Sequence, residues 1–309
     1  MSDEARDRCP ICGSDDLSRS GAPYRWGELL RCLICEHVMV TRSSQPFLEN
    51  RDRQLQFFGE VFAYKQAWLN GVYDDINARR TAKILAPGRH QKIIEIGPGQ
   101  GVVMAHMSAK SHEVQGLDLS QSVSDVIRKR YGLRVVVEDL AEFSLREAGL
   151  WDAAVMRHVL EHFEDPISAL KNVSILLRAG GRLYVAVPNM DSWHRRWRGW
   201  SGFEPYHLQY FGRKSLTQCI GIAGLTIVRM GSYESLTGWT NTVLRSIRRQ
   251  NPSVGTIGIP PNRGGAVRQL FEVTRLTFGL LSSPVRWTQS WLGRGEELFA
   301  VAQKTIADK

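Results

Sequence analysis

Four cysteines near the N-terminus stand in two closely spaced pairs. Cys9 and Cys12 form C-P-I-C, and after nineteen intervening residues Cys32 and Cys35 form C-L-I-C. Each pair presents two thiolates from one tight turn, and two pairs complete the tetrahedron that Zn²⁺ prefers. Because the intervening stretch is too short to bury a core, metal binding would supply its folding free energy. The spacing predicts a structural zinc site closed by four ligands, rather than a redox pair.

A glycine-rich segment follows a short apolar run. Residues 92–96 (KIIEI) predict a strand, and Gly97, Gly99 and Gly101 follow it. Glycines at this place allow a sharp turn and the close approach of a ligand to the backbone. A nicotinamide-dinucleotide fingerprint has its third glycine three residues after the second, whereas here the separation is two. The loop therefore predicts a ligand site that does not match the dinucleotide pattern.

Carboxylates stand at three consecutive predicted strand ends. Glu95 precedes the first glycine, Asp118 ends a second strand, and Asp139 follows a third. A carboxylate at the second place can accept hydrogen bonds from both ribose hydroxyls of a nucleoside. Three such groups at one edge of a parallel sheet predict a nucleoside site more strongly than any one of them does.

Histidines follow the fourth and fifth predicted strands. His158 and His162 lie in RHVLEH, and His207 lies in GFEPYHLQYF. Imidazole exchanges protons near neutral pH, so all three are candidate general bases, with packing or backbone-bonded roles as the alternative. Glu161 shares a short turn with His158 and His162, but we interpret this turn as the source of a base rather than as a metal site.

Alternating strands and helices favour an α/β fold with a doubly wound, mostly parallel sheet. Composition and periodicity divide the chain into five parts. These are a zinc-binding module (1–41), a linker with leading helices (42–86), the core (87–231), a partly helical insertion (232–295), and a final strand with its tail (296–309).

The segment IIEIGPGQG…GLDLS…VEDL…WDAAVMRHVLEHFEDP…GGRLYVAVPN resembles the class I S-adenosylmethionine-dependent methyltransferases. More narrowly it resembles a bacterial branch with an HVLEH motif, whose members often carry a four-cysteine N-terminal module. The resemblance covers nearly the whole chain and is weakest at 232–295. It implies a Rossmann-like, seven-stranded sheet and S-adenosylmethionine as cofactor.

The resemblance also implies roles for individual residues. The glycine loop would hold the methionine part of the cofactor, Asp118 and Leu119 would lie at the ribose, Asp139 and Leu140 would frame the adenine, and Arg157 and His158 would lie near the sulfonium. The residues that would contact the methionine part are Glu95, Gly97, Gly99 and Gly101.

Fewer sequence features point to the acceptor than to the cofactor. Tryptophans and arginines alternate in residues 191–212, and we interpret this segment as an acceptor wall. The leading hypothesis is methylation of a small-molecule or glycan acceptor, at an oxygen of a sugar or lipid-linked glycan. The alternatives are carbon methylation of a sugar, RNA methylation, and a non-catalytic zinc-containing scaffold. Nucleic acid is disfavoured because residues 1–52 are not strongly basic.

The net charge of +9 is concentrated in one part of the chain. Residues 191–309 hold 16 Lys+Arg against 7 Asp+Glu, whereas residues 1–190 hold 24 of each. Residues 267–281 predict an amphipathic helix with Leu270, Phe271 and Phe278 on one side. We expect a cytoplasmic protein because the N-terminus does not resemble a signal peptide, with peripheral contact to the inner membrane surface as a further hypothesis. The oligomeric state stays open.

Overall fold

The computed structural model describes residues 8–24, 27–41, 68–85, 90–204, 206–248 and 265–305. The strands are β1 (Leu17–Arg19), β2 (Leu29–Cys32), β3 (Val38–Val40), β4 (Lys92–Ile96), β5 (Glu113–Asp118), β6 (Val135–Val137), β7 (Trp151–Arg157), β8 (Leu177–Pro188), β9 (Gln209–Tyr210), β10 (Leu225–Tyr233) and β11 (Glu297–Lys304). The α-helices are α1 (Trp68–Leu85), α2 (Val102–Ser108), α3 (Gln121–Tyr131), α4 (Leu140–Arg146), α5 (Pro166–Leu176), α6 (Arg213–Ile222), α7 (Gly238–Arg248), α8 (Gly265–Leu281) and α9 (Ser283–Trp291).

Seven strands form the main sheet in the order β10-β11-β8-β7-β4-β5-β6. Strands β4 to β8 pair in parallel, and β11 runs antiparallel to both β8 and β10. The strand order reverses between β4 and β7, which is where a doubly wound sheet opens its binding crevice. This topology confirms the predicted Rossmann-like, seven-stranded fold.

Helices cover both faces of the main sheet. On one face α1 and α2 pack onto the central strands, with Ala82 and Met107 fully buried. On the other face α4, α5 and α6 contribute Phe143, Leu170 and Ile220 to the larger core. Because both faces are covered, the central strands are apolar along most of their length, and the polar residues concentrate at the strand ends.

The N-terminal cysteines belong to a second, four-stranded sheet in the order β1-β2-β3-β9. Its fourth strand, β9, comes from the segment that follows β8, and Val38 pairs with Tyr210 across β3 and β9. Three of the four cysteines are buried in the same apolar cluster as α6. The N-terminal module therefore packs against the main domain and shares a sheet with it, a connection that the sequence did not predict.

The segment between β10 and β11 is helical where it is described. The predicted amphipathic helix at 267–281 is present as α8, and part of its predicted apolar side faces solvent. Leu270 and Phe278 are 69% and 51% exposed, whereas Glu272 and Arg275 are buried. The physical reason is an ion pair at 3.4 Å between Glu272 and Arg275, together with a hydrogen bond from Arg275 to the Asn241 side chain on α7.

The leading helical region is described only as α1. Residues 42–67 and 86, which belong to the same predicted region, lie outside the described residues. In the described part of the chain, no helix is long and apolar enough to cross a membrane.

Candidate active site

The four predicted zinc ligands meet at one point. They are Cys9, Cys12, Cys32 and Cys35, and their sulfur atoms all lie within 4.8 Å of one another. The residue after each pair, Gly13 or Glu36, has a positive φ of 74° or 63°, and its N–H donates to the carbonyl of the first cysteine of that pair. Two equivalent turns thus aim four sulfurs at a common centre, as a tetrahedral zinc site requires.

The glycine loop lies at the carboxyl end of β4, against the turn that follows β7. Gly97 has φ 62°, and a Cβ added there would come within 2.5 Å of a methyl group of Val159. The Gly97 N–H donates to the carbonyl of Leu117 on β5. Gly99 and Gly101 also have positive φ values, of 54° and 71°. A side chain at Gly97 would force the loop away from the site, so the close approach requires glycine there.

Glu95 is a buried carboxylate at the end of β4. It is 4% exposed, and its Oε2 has no hydrogen-bond partner among the described residues. Burial raises its pKa to about 8, although the Arg157 charge acts in the opposite direction. A buried carboxylate with one unpartnered oxygen beside a glycine loop fits the ammonium group of the cofactor's methionine part, which would supply the missing charge and hydrogen bond.

Asp118 ends β5, as expected for a ribose-binding residue. Its Oδ1 accepts the Ser120 N–H at 2.8 Å. Burial raises its pKa to about 6, while hydrogen bonds from the Ser120 and Leu119 amides lower it. Leu119 is 39% exposed beside it. These positions are compatible with a nucleoside whose ribose hydroxyls donate to the Asp118 carboxylate.

Asp139 and Leu140 stand at the start of α4. The Asp139 Oδ1 accepts the Ala141 N–H at 2.9 Å and so caps the helix, and Leu140 is buried. Asp139 therefore has a structural partner in addition to the adenine contact that the resemblance implies. The adenine contact of both residues stays a prediction.

Arg157, at the end of β7, takes part in a buried charge cluster. It ion-pairs with Glu297 at 2.8 Å, and Arg80 from α1 also ion-pairs with Glu297. Burial by itself would raise the pKa of Glu297, but Arg80 and Arg157 hold it well below its usual value. Glu297 was not predictable as a site residue from the sequence. This residue begins the last strand, 140 residues from Arg157, and no local pattern marks it.

His158 occupies a strained backbone position next to this cluster. Its φ is 53°, which is uncommon for a residue other than glycine and is often found at functional sites. Its Nε2 lies 3.0 Å from Glu297 and its Nδ1 lies 3.5 Å from Glu161. Burial would lower the His158 pKa, but these two carboxylates raise it to about 9. We therefore expect His158 to be protonated at neutral pH, so that it is not available as a base.

The other two predicted bases lie together. The rings of His162 and His207 are 4.9 Å apart between centroids. His207 Nε2 is 3.9 Å from a carboxylate oxygen of Glu161, and burial, together with the nearby His162, lowers the His207 pKa to about 3. The structure thus brings together two residues that are 45 positions apart in the sequence, and it adds Glu161 to them.

A cavity of about 300 Å³ opens beside these histidines. It is lined by Tyr73, His158, His162, Pro188, Trp200, Ser201, Gly202, Glu204, Tyr206, His207, Glu296 and Glu297. Within the aromatic and basic segment 191–212, Trp200 therefore forms part of the wall, while Trp193 and Trp197 are 40% and 41% exposed. Part of this segment thus contacts the cavity, as expected for an acceptor wall.

The N-terminal module is connected to this cavity by hydrogen bonds. His37 Nε2 lies 2.8 Å from the Gln209 side-chain oxygen. The Gln209 amide donates to the carbonyls of Phe163 and Glu164, both at 3.2 Å. The Leu208 N–H donates to the carbonyl of Glu161 at 2.9 Å. Strand β9 therefore links the module to the turn that holds Glu161 and His162.

A protein-family model described as a methyltransferase domain matches residues 68–230, which is more than half of the chain. Two curated proteins similar to the chain are ubiquinone biosynthesis O-methyltransferases. The protein from Cupriavidus pinatubonensis is 33% identical over 106 residues, which are 33% of this chain and 43% of that protein. The protein from Ralstonia nicotianae is 30% identical over 107 residues, which are 33% and 45%. The match spans less than half the length of these relatives.

Solved structures resemble the fold at low sequence identity. An S-adenosylmethionine-dependent methyltransferase from Archaeoglobus fulgidus superposes with a TM-score of 0.50 at 15% identity, covering 74% of this chain and 92% of that one. A protein from Galdieria sulphuraria that is described as a sarcosine dimethylglycine methyltransferase superposes with a TM-score of 0.51 at 11% identity. The superposition covers 82% of this chain and 99% of that one. At these identities the likeness concerns the fold alone.

Proposed function

The chain belongs to the class I S-adenosylmethionine-dependent methyltransferases, and from this premise we propose that it methylates a hydroxyl oxygen of a small acceptor, a sugar or a lipid-linked glycan. When bound, S-adenosylmethionine supplies a methyl group on a positively charged sulfur, which keeps the electron pair of the broken C–S bond. The protein's part is to align the acceptor oxygen with that methyl group and to remove the hydroxyl proton.

The observation that carries this proposal is the group of Glu161, His162 and His207 at the cavity. A hydroxyl is protonated at neutral pH, so oxygen methylation needs a group that takes the proton. His207 donates from Nδ1 to the Gly202 carbonyl at 2.8 Å, which leaves Nε2 with its lone pair. His162 is held in the same way by the Tyr206 carbonyl at 3.1 Å. Both rings are thus oriented to accept a proton.

Two further facts support an oxygen of a small acceptor. The similar curated proteins are named O-methyltransferases. A cavity of about 300 Å³ lies at the small end of the range for ligand sites. Tyr206 in the wall offers aromatic surface to an acceptor ring, and Ser201 offers a polar group to its hydroxyls. These features favour one sugar unit over a folded RNA.

We assign Zn²⁺ to the four-cysteine cluster as a structural ion. Four thiolates leave no coordination position for a substrate, so such an ion would stabilise the module rather than take part in the reaction. Its effect on the site would pass through β3, β9 and the Gln209 hydrogen bonds.

A lipid-linked acceptor would bring the protein to a membrane surface, and one face of the C-terminal helices suits that contact. Large apolar side chains on α8 and α9 are exposed, with Leu281 78%, Trp287 74% and Trp291 84% exposed. Tryptophan favours the boundary between lipid and water. We propose that this face, with the basic charge of residues 191–309, contacts an anionic bilayer.

The experiment is an acceptor screen that measures S-adenosylhomocysteine release. Sugar nucleotides, lipid-linked glycans, phenols and RNA are each offered to the zinc-loaded protein, with the Asp118→Asn variant as the control for cofactor-dependent signal. Turnover with a hydroxylated small acceptor and a shallow dependence on salt is the expected result. Turnover with RNA alone, falling steeply with salt, would contradict the proposal.

A further inference from the structure

We propose that Glu161, His162 and His207 bind a divalent first-row transition-metal ion at the wall of the cavity. Each residue offers one donor atom, and these atoms all lie within 4.8 Å of one another. Two ligands at about 2.0–2.2 Å from one ion are at most about 4.2 Å apart. The 3.9 Å between His207 Nε2 and the Glu161 carboxylate therefore leaves room for an ion between them.

The two imidazoles are oriented as metal ligands usually are. A histidine that binds a metal through one ring nitrogen almost always donates its other N–H to a carbonyl or carboxylate, which fixes the tautomer and the ring plane. Here His207 Nδ1 lies 2.8 Å from the Gly202 carbonyl, and His162 Nδ1 lies 3.1 Å from the Tyr206 carbonyl. In the His207 ring the remaining nitrogen, Nε2, lies 3.9 Å from the Glu161 carboxylate.

Glu161 supplies an independent sign of a missing cation. Its side chain is fully buried, yet neither carboxylate oxygen has a hydrogen-bond partner among the described residues. The nearest cationic group is His158, at 3.5 Å. A buried carboxylate without hydrogen bonds is costly, and an ion between Glu161 and the two imidazoles would satisfy it.

A second buried cluster contains a histidine and a carboxylate that are hydrogen-bonded to each other. His194 Nε2 lies 2.9 Å from both oxygens of Glu234, and its Nδ1 lies 2.8 Å from the Thr242 hydroxyl. Glu234 also accepts from Gln289 and from the Glu296 N–H. In that cluster the histidine and Glu234 are hydrogen-bonded to each other, whereas Glu161 has no hydrogen bond among the described residues and lies 3.5 Å from His158 and 3.9 Å from His207.

The donor set indicates the class of ion and its use. Two imidazoles and one carboxylate suit zinc, iron, cobalt or manganese, and three protein ligands leave open positions toward the cavity. The role given to the ion rests on the proposed function, whereas the binding of the ion does not. An acceptor hydroxyl bound at an open position would have a lowered pKa and would lose its proton to water in the cavity. The group of Glu161, His162 and His207 would then still promote loss of the hydroxyl proton, as the proposed function requires, but would do so through the bound ion.

The test is a titration of the zinc-loaded protein with Mn²⁺, with free Mn²⁺ counted by electron paramagnetic resonance. Mn²⁺ favours oxygen and nitrogen ligands, so it leaves the four thiolates to zinc. We expect one bound Mn²⁺ per chain, and affinity at least tenfold weaker in both Glu161→Gln and His207→Gln. His90→Gln, at an exposed histidine outside the cluster, should bind Mn²⁺ as the unaltered protein does.

Calorimetric binding of S-adenosylhomocysteine by each variant confirms that it is folded. Absence of Mn²⁺ binding by the unaltered protein would overturn the proposal, and so would binding that neither Glu161→Gln nor His207→Gln weakens. The proposed function fails separately: a chain that binds Mn²⁺ at these residues but methylates no hydroxylated acceptor would keep the metal site and lose the acceptor assignment.

Discussion

The two sides of the candidate active site are built in different ways. On the cofactor side, the glycine loop, Asp118 and Asp139 stand at or just after the ends of three parallel strands that lie within 45 residues of one another. On the acceptor side, hydrogen bonds from Leu208 and Gln209 join the segment of His207 to the turn that holds Glu161 and His162, and β9 in that segment also pairs with β3 of the N-terminal module. The cofactor side depends on the order of strands in one sheet, and the acceptor side depends on the contact between two sheets.

This difference predicts that the two sides can be damaged separately. A change on the acceptor side should lower turnover and leave cofactor affinity intact. A change at Asp118 should instead weaken cofactor affinity.

The largest expected effect is on the acceptor side. Replacing His207 by Gln removes the lone pair that faces Glu161, whether that nitrogen takes a proton or holds an ion. We expect kcat to fall about 10²–10⁴-fold, measured as S-adenosylhomocysteine release with the best acceptor of the screen. The exposed His90→Gln serves as control. Unchanged kcat would exclude His207 from the reaction.

The next effect is on the cofactor side. Asp118→Asn replaces a charged acceptor of hydrogen bonds by a neutral one, and hydrogen bonds to charged groups contribute about 1.5–3 kcal/mol. We expect the Kd for S-adenosylmethionine to rise about 10–100-fold by calorimetry. Asp125→Asn, at an exposed acid on α3, should bind as the unaltered protein does, and equal affinity in Asp118→Asn would remove Asp118 from the cofactor site.

The link between the two sheets should have an intermediate effect. Gln209→Leu removes the hydrogen bonds to the Phe163 and Glu164 carbonyls, and leaving such groups unsatisfied costs about 1–3 kcal/mol. We expect lower thermal stability and about tenfold lower kcat, with the Kd for S-adenosylmethionine unchanged. If Gln209→Leu weakened cofactor binding as much as it weakened turnover, the two sides would not be separable.

The pH dependence of cofactor binding sharpens the assignment of Asp118. Its carboxyl must be ionised to accept the ribose hydroxyls, and burial raises its pKa to about 6. Loss of its charge should therefore weaken S-adenosylmethionine binding about tenfold between pH 7 and pH 5, in addition to the loss from Glu95, whose pKa burial raises to about 8. Calorimetry across this range measures the total, and Asp118→Asn should lack the tenfold part that belongs to Asp118.

The smallest effect concerns the exposed helices α8 and α9, which lie outside both sides of the cavity. Leu281→Asp combined with Trp287→Asp should reduce sedimentation with vesicles rich in anionic lipid by several-fold. Val228→Asp, at another exposed apolar residue on β10, should not. Turnover with a water-soluble acceptor should stay the same in both variants.

The sequence was sufficient for the features that local spacing determines. Two CxxC pairs define the four-cysteine cluster, and strand ends mark Glu95, Asp118 and the glycine loop, because a parallel sheet gathers the carboxyl ends of its strands at one edge. Helix α8 was also predictable from its periodicity, but the burial of Glu272 and Arg275 was not, since it accompanies an ion pair between them.

What escaped prediction depends on contacts between distant segments. Glu297 belongs to the site because β11 inserts beside β8, and Gln209 belongs to it because β9 joins the N-terminal sheet. Neither residue has a local pattern that distinguishes it from a solvated polar residue. The sequence likewise indicated His162 and His207 only as two separate candidates and did not show that they are neighbours.

The most direct test of the relation between the two sides is a crystal structure with S-adenosylhomocysteine bound. We predict that the ribose hydroxyls donate to the Asp118 carboxylate and that the sulfur faces the cavity lined by His162 and His207. A sulfur directed away from that cavity, or a ribose held elsewhere than at Asp118, would contradict the account.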